Sequence, residues 1–320
     1  MHISTDRCDH FVNEYEFLSK VQMECKVEIP FRKDSKSLPA PLPCEDQIRD
    51  CANIIHGHEP SADHKVAVIG PYAIKYGKYL SQLEGENLLF LERFAPRIPA
   101  PKLYAMWRGD GADSDLFMVM DLVPGIPLNE LWPTLGDLDK TQIVNKLRDI
   151  FESLHSLPSP GFFGSIHRGP IPYHLFWDAN DDPAVTGPFN HGREMILGLA
   201  KRSRANSALN GKYPYLAEFF ERHIAPALDN HSPTFCHSDV QQKNIIVDMT
   251  QEDAMQGKAI RITIIDWEIA GWYPSYWEYA AAFLSFRWDE DDWPNRSEAF
   301  IPVRAAEAAM LRLIHQDLWF

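Results

Sequence analysis

The chain has 320 residues, 45% of them hydrophobic, which is enough to bury one large core or two modest ones, and two lobes or domains are the expectation. Its formal charge of −14 lacks the basic footprint that nucleic acid or an anionic membrane surface requires, while leaving room for a cationic partner. The opening residues, MHISTDRCDHFVNEYEF, hold no apolar h-region, and no later apolar run reaches membrane-spanning length, so a soluble, cytoplasmic chain is expected. The five cysteines (Cys8, Cys25, Cys44, Cys51 and Cys236) are odd in number and form no CxxC pair, which predicts free thiols rather than a disulfide framework or a zinc site.

Taken in order, Phe11 to Cys25 reads as a helix, and LPAPLP (Leu38 to Pro43) as an extended arm. Val66 to Ile69 and Tyr72 to Tyr76 read as strands joined by a Gly70-Pro71 turn, the second strand carrying Lys75. The following segment, SQLEGENLLFLERFA, reads as a helix. Glu84 lies four residues before Leu88 and seven before Leu91, so it shares their inward face and can meet Lys75, whereas Glu86 is turned away. A second strand pair, Lys102 to Trp107 and Leu116 to Met120, flanks the turn cluster RGDGADSD. Pro124, Gly125 and Pro127 then interrupt helix and strand alike and mark a boundary.

Beyond that boundary the chain reads as mainly helical. Asp139 is the expected N-cap, with Gln142 at N3, of a helix whose apolar positions are Ile143, Leu147, Ile150, Phe151 and Leu154. LPSPGFFGSIHRGPIPYH reads as a surface loop. Helices are expected near Arg193 to Ala205, Tyr215 to Leu228, Tyr276 to Phe286 and Val303 to Leu318.

Between the last two pairs of helices lies the stretch that carries chemistry, Cys236 to Pro274. Two β-branched runs, Ile245 to Val247 and Ile260 to Ile265, flank a polar insertion and read as a β-hairpin, which sets Asn244 and Asp266 side by side at one edge. Asp239 sits five residues before Asn244 on a polar loop. A carboxylate able to take a proton, plus an amide and a second carboxylate as hard oxygen ligands, is the equipment that magnesium-assisted phosphoryl transfer requires.

The order Lys75, Glu84, interrupted hinge, HxDxxxxN (His237, Asp239, Asn244) and strand-borne Asp266 resembles the aminoglycoside phosphotransferase-like, choline kinase-like branch of the protein-kinase fold. The phrases VPGIPLNELWP, SPGFFGSI and IDWEIAGWYPSYWEYA resemble fungal-type members of that group. Over about residues 64 to 290, the resemblance implies an α+β, bilobal protein-kinase-like fold. Its N-lobe would be a small, five-stranded antiparallel β-sheet and its C-lobe mainly helical. The implied division is an arm at 1–45, a nucleotide-binding N-lobe at 46–123 and a C-lobe at 124–320. By the same resemblance Lys75 would hold the α- and β-phosphates of ATP, Glu84 would orient Lys75, and Asp239 would be the catalytic base. Asn244 and Asp266 would hold Mg2+, and the backbone of Met120 to Val123, at Asp121 and Val123, would receive adenine. The implied activity is phosphoryl transfer from ATP to a hydroxyl of a small polar molecule of aminoglycoside, choline or sugar type.

The pattern departs from the family at several positions. The usual HGD reads His237-Ser238-Asp239, no G-x-G-x-x-G precedes Lys75, and Gly57 and Gly70 are the only candidates for a phosphate-covering turn. Arg is absent before Asp239, Gln241 replaces the lysine two residues after it, and no APE follows Asp266, all of which weigh against a protein kinase. A pseudokinase acting as a binding module is the other rival. His237 reads as a loop-packing residue because Asp239 already fills the base role. Glu268 reads equally as a ligand or as an ion-pair partner. Trp272, Tyr276 and Trp277 read as core and Cys236 as a buried small hydrophobe. The run Trp288 to Trp293, WDEDDW, is either a solvated acidic loop or a site for a cationic acceptor. The run Lys201 to Arg204 reads as an exposed helix end.

Overall fold

The computed structural model describes residues 21, 25–57, 64–110, 114–253, 257–287 and 289–319. Most of the helix expected at Phe11 to Cys25, together with Cys8, Trp288 and parts of the two polar turns at 108–115 and 248–259, lies outside the described residues. The described residues divide into two compact units, one comprising Cys25–Leu131 and Lys243–Glu268, the other Trp132–Gln242 and the chain from Ile269 onward, with Val21. The Asn244 to Asp266 hairpin therefore belongs with the sheet unit, although it follows residue 124 in the chain.

In the sheet unit the elements run β1 (Phe31–Arg32), α1 (Glu45–Arg49), β2 (Ile54–His56), β3 (Lys65–Ile69), β4 (Tyr72–Gly77), α2 (Leu83–Phe94), β5 (Leu103–Arg108), β6 (Leu116–Asp121), β7 (Ile126–Pro127) and α3 (Leu128–Leu131). Strands β1 to β6 form one antiparallel sheet in the order β1-β5-β6-β4-β3-β2. The implied five strands thus become six, because the expected arm adds Phe31 and Arg32 at the β5 edge. Strand alternation sorts the side chains into two faces. Ala67, Ile74, Tyr76, Val119, Phe117, Ala105 and Trp107 pack with Ile48 of α1 and with Leu38, Ala40 and Leu42 of the arm. On the opposite face a directly paired row runs from Val66 through Lys75 and Met118 to Met106. Helix α2 lies against the Met106 end of that row, where a Cβ on Gly85 would come within 2.8 Å of the Met106 sulfur.

The hairpin β9 (Ile245–Asp253) and β10 (Gly257–Ile264) forms as expected from its β-branched runs, with longer strands. The segment expected to break regular structure instead adds to it: Ile126 pairs with Val247 and Pro127 with Ile246, so β7 becomes the third strand of this sheet. Proline is tolerated there because β7 is an edge strand that need not donate on its outer side. Gly125 makes the approach possible, since its φ of +129° is open mainly to glycine and a Cβ would meet the Val247 carbonyl at 2.6 Å.

In the helical unit the long elements are α4 (Asp137–His155), α5 (Gly192–Leu209), α6 (Trp277–Ser285) and α7 (Ala305–Trp319), with a two-stranded ribbon of β8 (Pro233–Cys236) and β11 (Gly271–Pro274). Helix α4 begins three residues earlier than expected, with Gly136 as its N-cap, so Asp139 sits at N3 and complements the helix dipole from within the first turn. Val144 takes a core place beside Ile143, Leu147, Phe151 and Leu154, while Ile150 is half-buried. The expected surface loop at 157–174 is largely interior: Phe162, Phe163, Ile166, Ile171 and Tyr173 are buried, and Gly164 bridges to Trp272. Its prolines and glycines shape an irregular path while its aromatic residues pack. Trp272, Tyr276 and Trp277 are core, as expected, with Tyr273 stacked on Trp277 at 5.0 Å.

Candidate functional site

In the sheet unit, Lys75 on β4 and Glu84 in the first turn of α2 meet in the interior, with Nζ 2.8 Å from the Glu84 carboxylate and side chains 7% and 4% exposed. Strand alternation aims Lys75 at α2, and helical phasing turns Glu84 toward the sheet. Glu86, expected to face away, does so without reaching solvent: the Val27 amide and Gln82 donate to its carboxylate, so it is buried beneath the arm. Lys75 also reaches Asp266 at 2.9 Å and Glu268 at 3.0 Å, so Glu268 forms the ion pair that the sequence allowed. Asn244 and Asp266 emerge from the same end of the hairpin, where the Ile265 N–H donates to the Asn244 carbonyl at 2.9 Å. Asp266 adopts a φ of +66°, a conformation that aspartate tolerates better than most residues. Behind it Trp267 is fully buried, its indole N–H donating to the Ile264 carbonyl and its own carbonyl accepting from Asn87 of α2. These bonds tie the Asp266 turn to the Glu84 helix.

The electrostatics follow from one ammonium facing three carboxylates. Burial by itself would lower the Lys75 pKa, but Glu84, Asp266 and Glu268 together hold it well above its ordinary value. Burial pushes the Glu84 carboxyl up, against the pull of Lys75. Glu84, Asp266 and Glu268 each place an oxygen within 4.8 Å of one another, leaving a formal surplus of negative charge. Such a hard-oxygen set, with the Asn244 amide at the same hairpin end, fits magnesium rather than a soft metal.

Asp121 and Val123 lie where β6 ends. The Asp121 carboxylate is engaged, accepting from Tyr104 at 2.6 Å and from the Lys102 amide at 2.9 Å. It fixes the strand end from which the Val123 backbone emerges.

Asp239 belongs to the helical unit. His237 is completely buried, and its Nδ1 accepts from the Asp239 amide at 3.2 Å, which is the loop-packing role expected of it. Ser238 has a φ of +69°, the left-handed conformation that the usual glycine would supply freely. Both oxygens of buried Glu278, on α6, hold this backbone: one accepts from the His237 amide at 2.9 Å and the other from the Ser238 amide at 2.8 Å, while His155 lies 3.3 Å away. Cys236 precedes them as a buried thiol whose pKa is raised by burial and by Glu278. Gln241 donates to the Asp239 carboxylate at 2.5 Å. Glu278 and Gln241 were missed from the sequence because their roles depend on long-range placement and on loop geometry. Tyr173 and His174 were missed as well. Burial first, then the field of Asp239, raises the Tyr173 pKa, and burial lowers His174 to about 4.

The acidic run is largely the solvated loop that the sequence allowed, with Asp289, Glu290 and Asp291 exposed, but its end at Asp292 is half-buried and structural. Asp292 accepts from Lys140, Arg296 and the Trp132 indole, each at 2.9 Å. Asp291 accepts from the Trp293 amide, and Glu290 pairs with Arg287. Trp293 is buried edge-on to Trp132. Asp292 and Glu290 already pair with the protein's own cations, and Asp292 makes the end of the run a structural corner. Likewise Lys201 to Arg204 lies inside α5: Lys201 pairs with Asp182, Arg202 donates to the His174 and Leu175 carbonyls, buried Ser203 donates to Asp317, and Arg204 pairs with Glu221.

The fold is shared with solved phosphotransferases. The crystal structure of aminoglycoside phosphotransferase APH(4)-Ia aligns with a TM-score of 0.52 at 15% identity, covering 85% of this chain and 86% of that one. A ternary complex of a thermostable APH(4)-Ia mutant with ADP and hygromycin B aligns at 0.51 and 14%, covering 86% and 92%. The GDP and kanamycin complex of APH(2")-IIia aligns at 0.50 and 13%, covering 85% of each chain. No curated protein sequence matches the chain. The sequence profile of the phosphotransferase enzyme family matches residues 81–313, and the chain belongs to that family. Among the described residues no helix is long and apolar enough to cross a membrane.

Proposed function

We propose that the protein transfers the γ-phosphate of ATP, with Mg2+, to a hydroxyl of a small polar molecule. The observation that carries this reading is the buried Lys75 held by Glu84, Asp266 and Glu268 in a cluster whose carboxylates outnumber its cation. Lys75, fixed by Glu84, holds the α- and β-phosphates. The backbone at Asp121 and Val123 receives the adenine edge. Asn244 and Asp266 are the residues that would hold magnesium, which when bound neutralises charge on the transferring phosphate. Asp239, positioned by His237 and Gln241, accepts or orients the proton of the acceptor hydroxyl. A small acceptor is favoured over a protein because only residues 267–276 separate Asp266 from α6, and four of them form β11, leaving no room for a long activation segment.

The test is incubation with ATP and magnesium across a panel of hydroxyl-bearing metabolites and amino sugars, with mass detection of the phosphorylated product. The same assay on Asp239→Asn should show turnover reduced by about a hundredfold or more, with nucleotide binding retained. Transfer to generic proteins, or undiminished turnover in Asp239→Asn, would overturn the reading or the base assignment, respectively.

A further inference from the structure

The chain lacks a glycine-rich phosphate loop before Lys75, and the structure places two imidazoles at the strands where such a loop would begin and end. In the sheet register His56 of β2 pairs with Val66 of β3, and Val66 pairs with Lys75 of β4, so all three side chains stand on the Lys75 face. His64 precedes Val66 by two residues and shares that face. Gly57 lies close against His64: its φ is +80°, and a Cβ there would lie 2.3 Å from the His64 carbonyl oxygen. The two rings consequently stack at 4.7 Å with an interplanar angle of 24°. Helix α2 covers the Met106 end of the paired row, whereas His56 is exposed and His64 half-buried at the other end.

We propose that His64, braced by His56, is a binding residue for the phosphate groups of the nucleotide, in place of the backbone amides of a glycine-rich loop. This assignment rests on the nucleotide-dependent phosphotransfer proposed above. Burial, then the positive fields of Lys75 and His56, lowers the His64 pKa against the opposing fields of Glu268 and Asp266, which places the ring within electrostatic reach of the Lys75 cluster. A neutral imidazole still offers one N–H donor to a phosphate oxygen, and stacking on His56 fixes the plane in which that donor points.

Calorimetric titration of the full chain with ADP, a non-hydrolysable ATP analogue and adenosine, in magnesium, tests it. His64→Leu fills the ring's space without a donor and should weaken ADP and the analogue by about tenfold, the value of one hydrogen bond to a charged group, leaving adenosine within about twofold. His64→Gln keeps an N–H and should recover most of the loss. Unchanged ADP affinity in His64→Leu, equal losses for adenosine and ADP, or no recovery in His64→Gln would overturn the assignment. Failure of the wild-type protein to bind ADP and the analogue would overturn the nucleotide reading as well.

Discussion

Lys75 illustrates how burial turns an ordinary pair of charges into a constraint. An exposed lysine-glutamate pair contributes little, whereas one with both side chains almost fully enclosed leaves an uncompensated charge when either partner is removed. Lys75 has two further carboxylates to hold it, but Glu84 has been carried inward on a helix and depends on Lys75. If Glu84 acts only by orienting Lys75, Glu84→Gln should lower phosphotransfer, and adding it to Lys75→Met should cost little more. A double-mutant cycle on kcat/KM should return a coupling of about 1–3 kcal/mol, and full additivity would mean that the two residues act separately.

The loop bearing Asp239 shows how an element tolerates a residue that its backbone disfavours. A non-glycine residue in the left-handed region costs on the order of 1–3 kcal/mol and persists only where its surroundings over-determine it. Here Glu278 supplies that surplus by accepting from two successive amides, so Ser238 keeps the conformation the loop needs. Ser238→Gly should therefore raise the unfolding free energy by about 1 kcal/mol, after allowing for glycine's added unfolded-state entropy. Equilibrium denaturation measures this, and a neutral or negative change would mean that the loop carries no strain. The same carboxylate ties α6 to the loop that bears Asp239.

For the molecule as a whole, acid stability depends on the corner around Asp292. Burial opposes its ionisation, but hydrogen bonds from Lys140, Arg296 and Trp132 more than offset this and hold its pKa well below the ordinary value of 3.8. A carboxylate depressed in the folded state contributes stability that is fully present above its unfolded pKa and is lost as pH falls toward the folded one. Asp292→Asn should consequently lower Tm near neutral pH, and its deficit against wild type should shrink below about pH 3.8. A deficit constant across the titration would attribute the effect to packing of Trp132 and Trp293 rather than to charge.

The hairpin, the Lys75 strand and the phase of Glu84 were legible in the sequence because each rests on local periodicity, two residues for a strand and 3.6 for a helix, which fixes where a side chain points. The spacing from Asn244 to Asp266 survived for the same reason: a hairpin returns its ends to one edge whatever lies between. The third strand at Ile126 and Pro127, the burial of Phe162 to Tyr173, the covering of Glu86 and the engagement of Asp292 were not legible. Each depends on a distant segment: Val247 for the strand, Trp272 and Trp277 for the loop, Val27 for Glu86, and Lys140 for Asp292. The sequence by itself determined which chemical groups the chain carries and how neighbouring ones are phased. Only the tertiary structure decided which charges are already neutralised, because desolvation and pairing are properties of what packs against a residue and not of the residue itself.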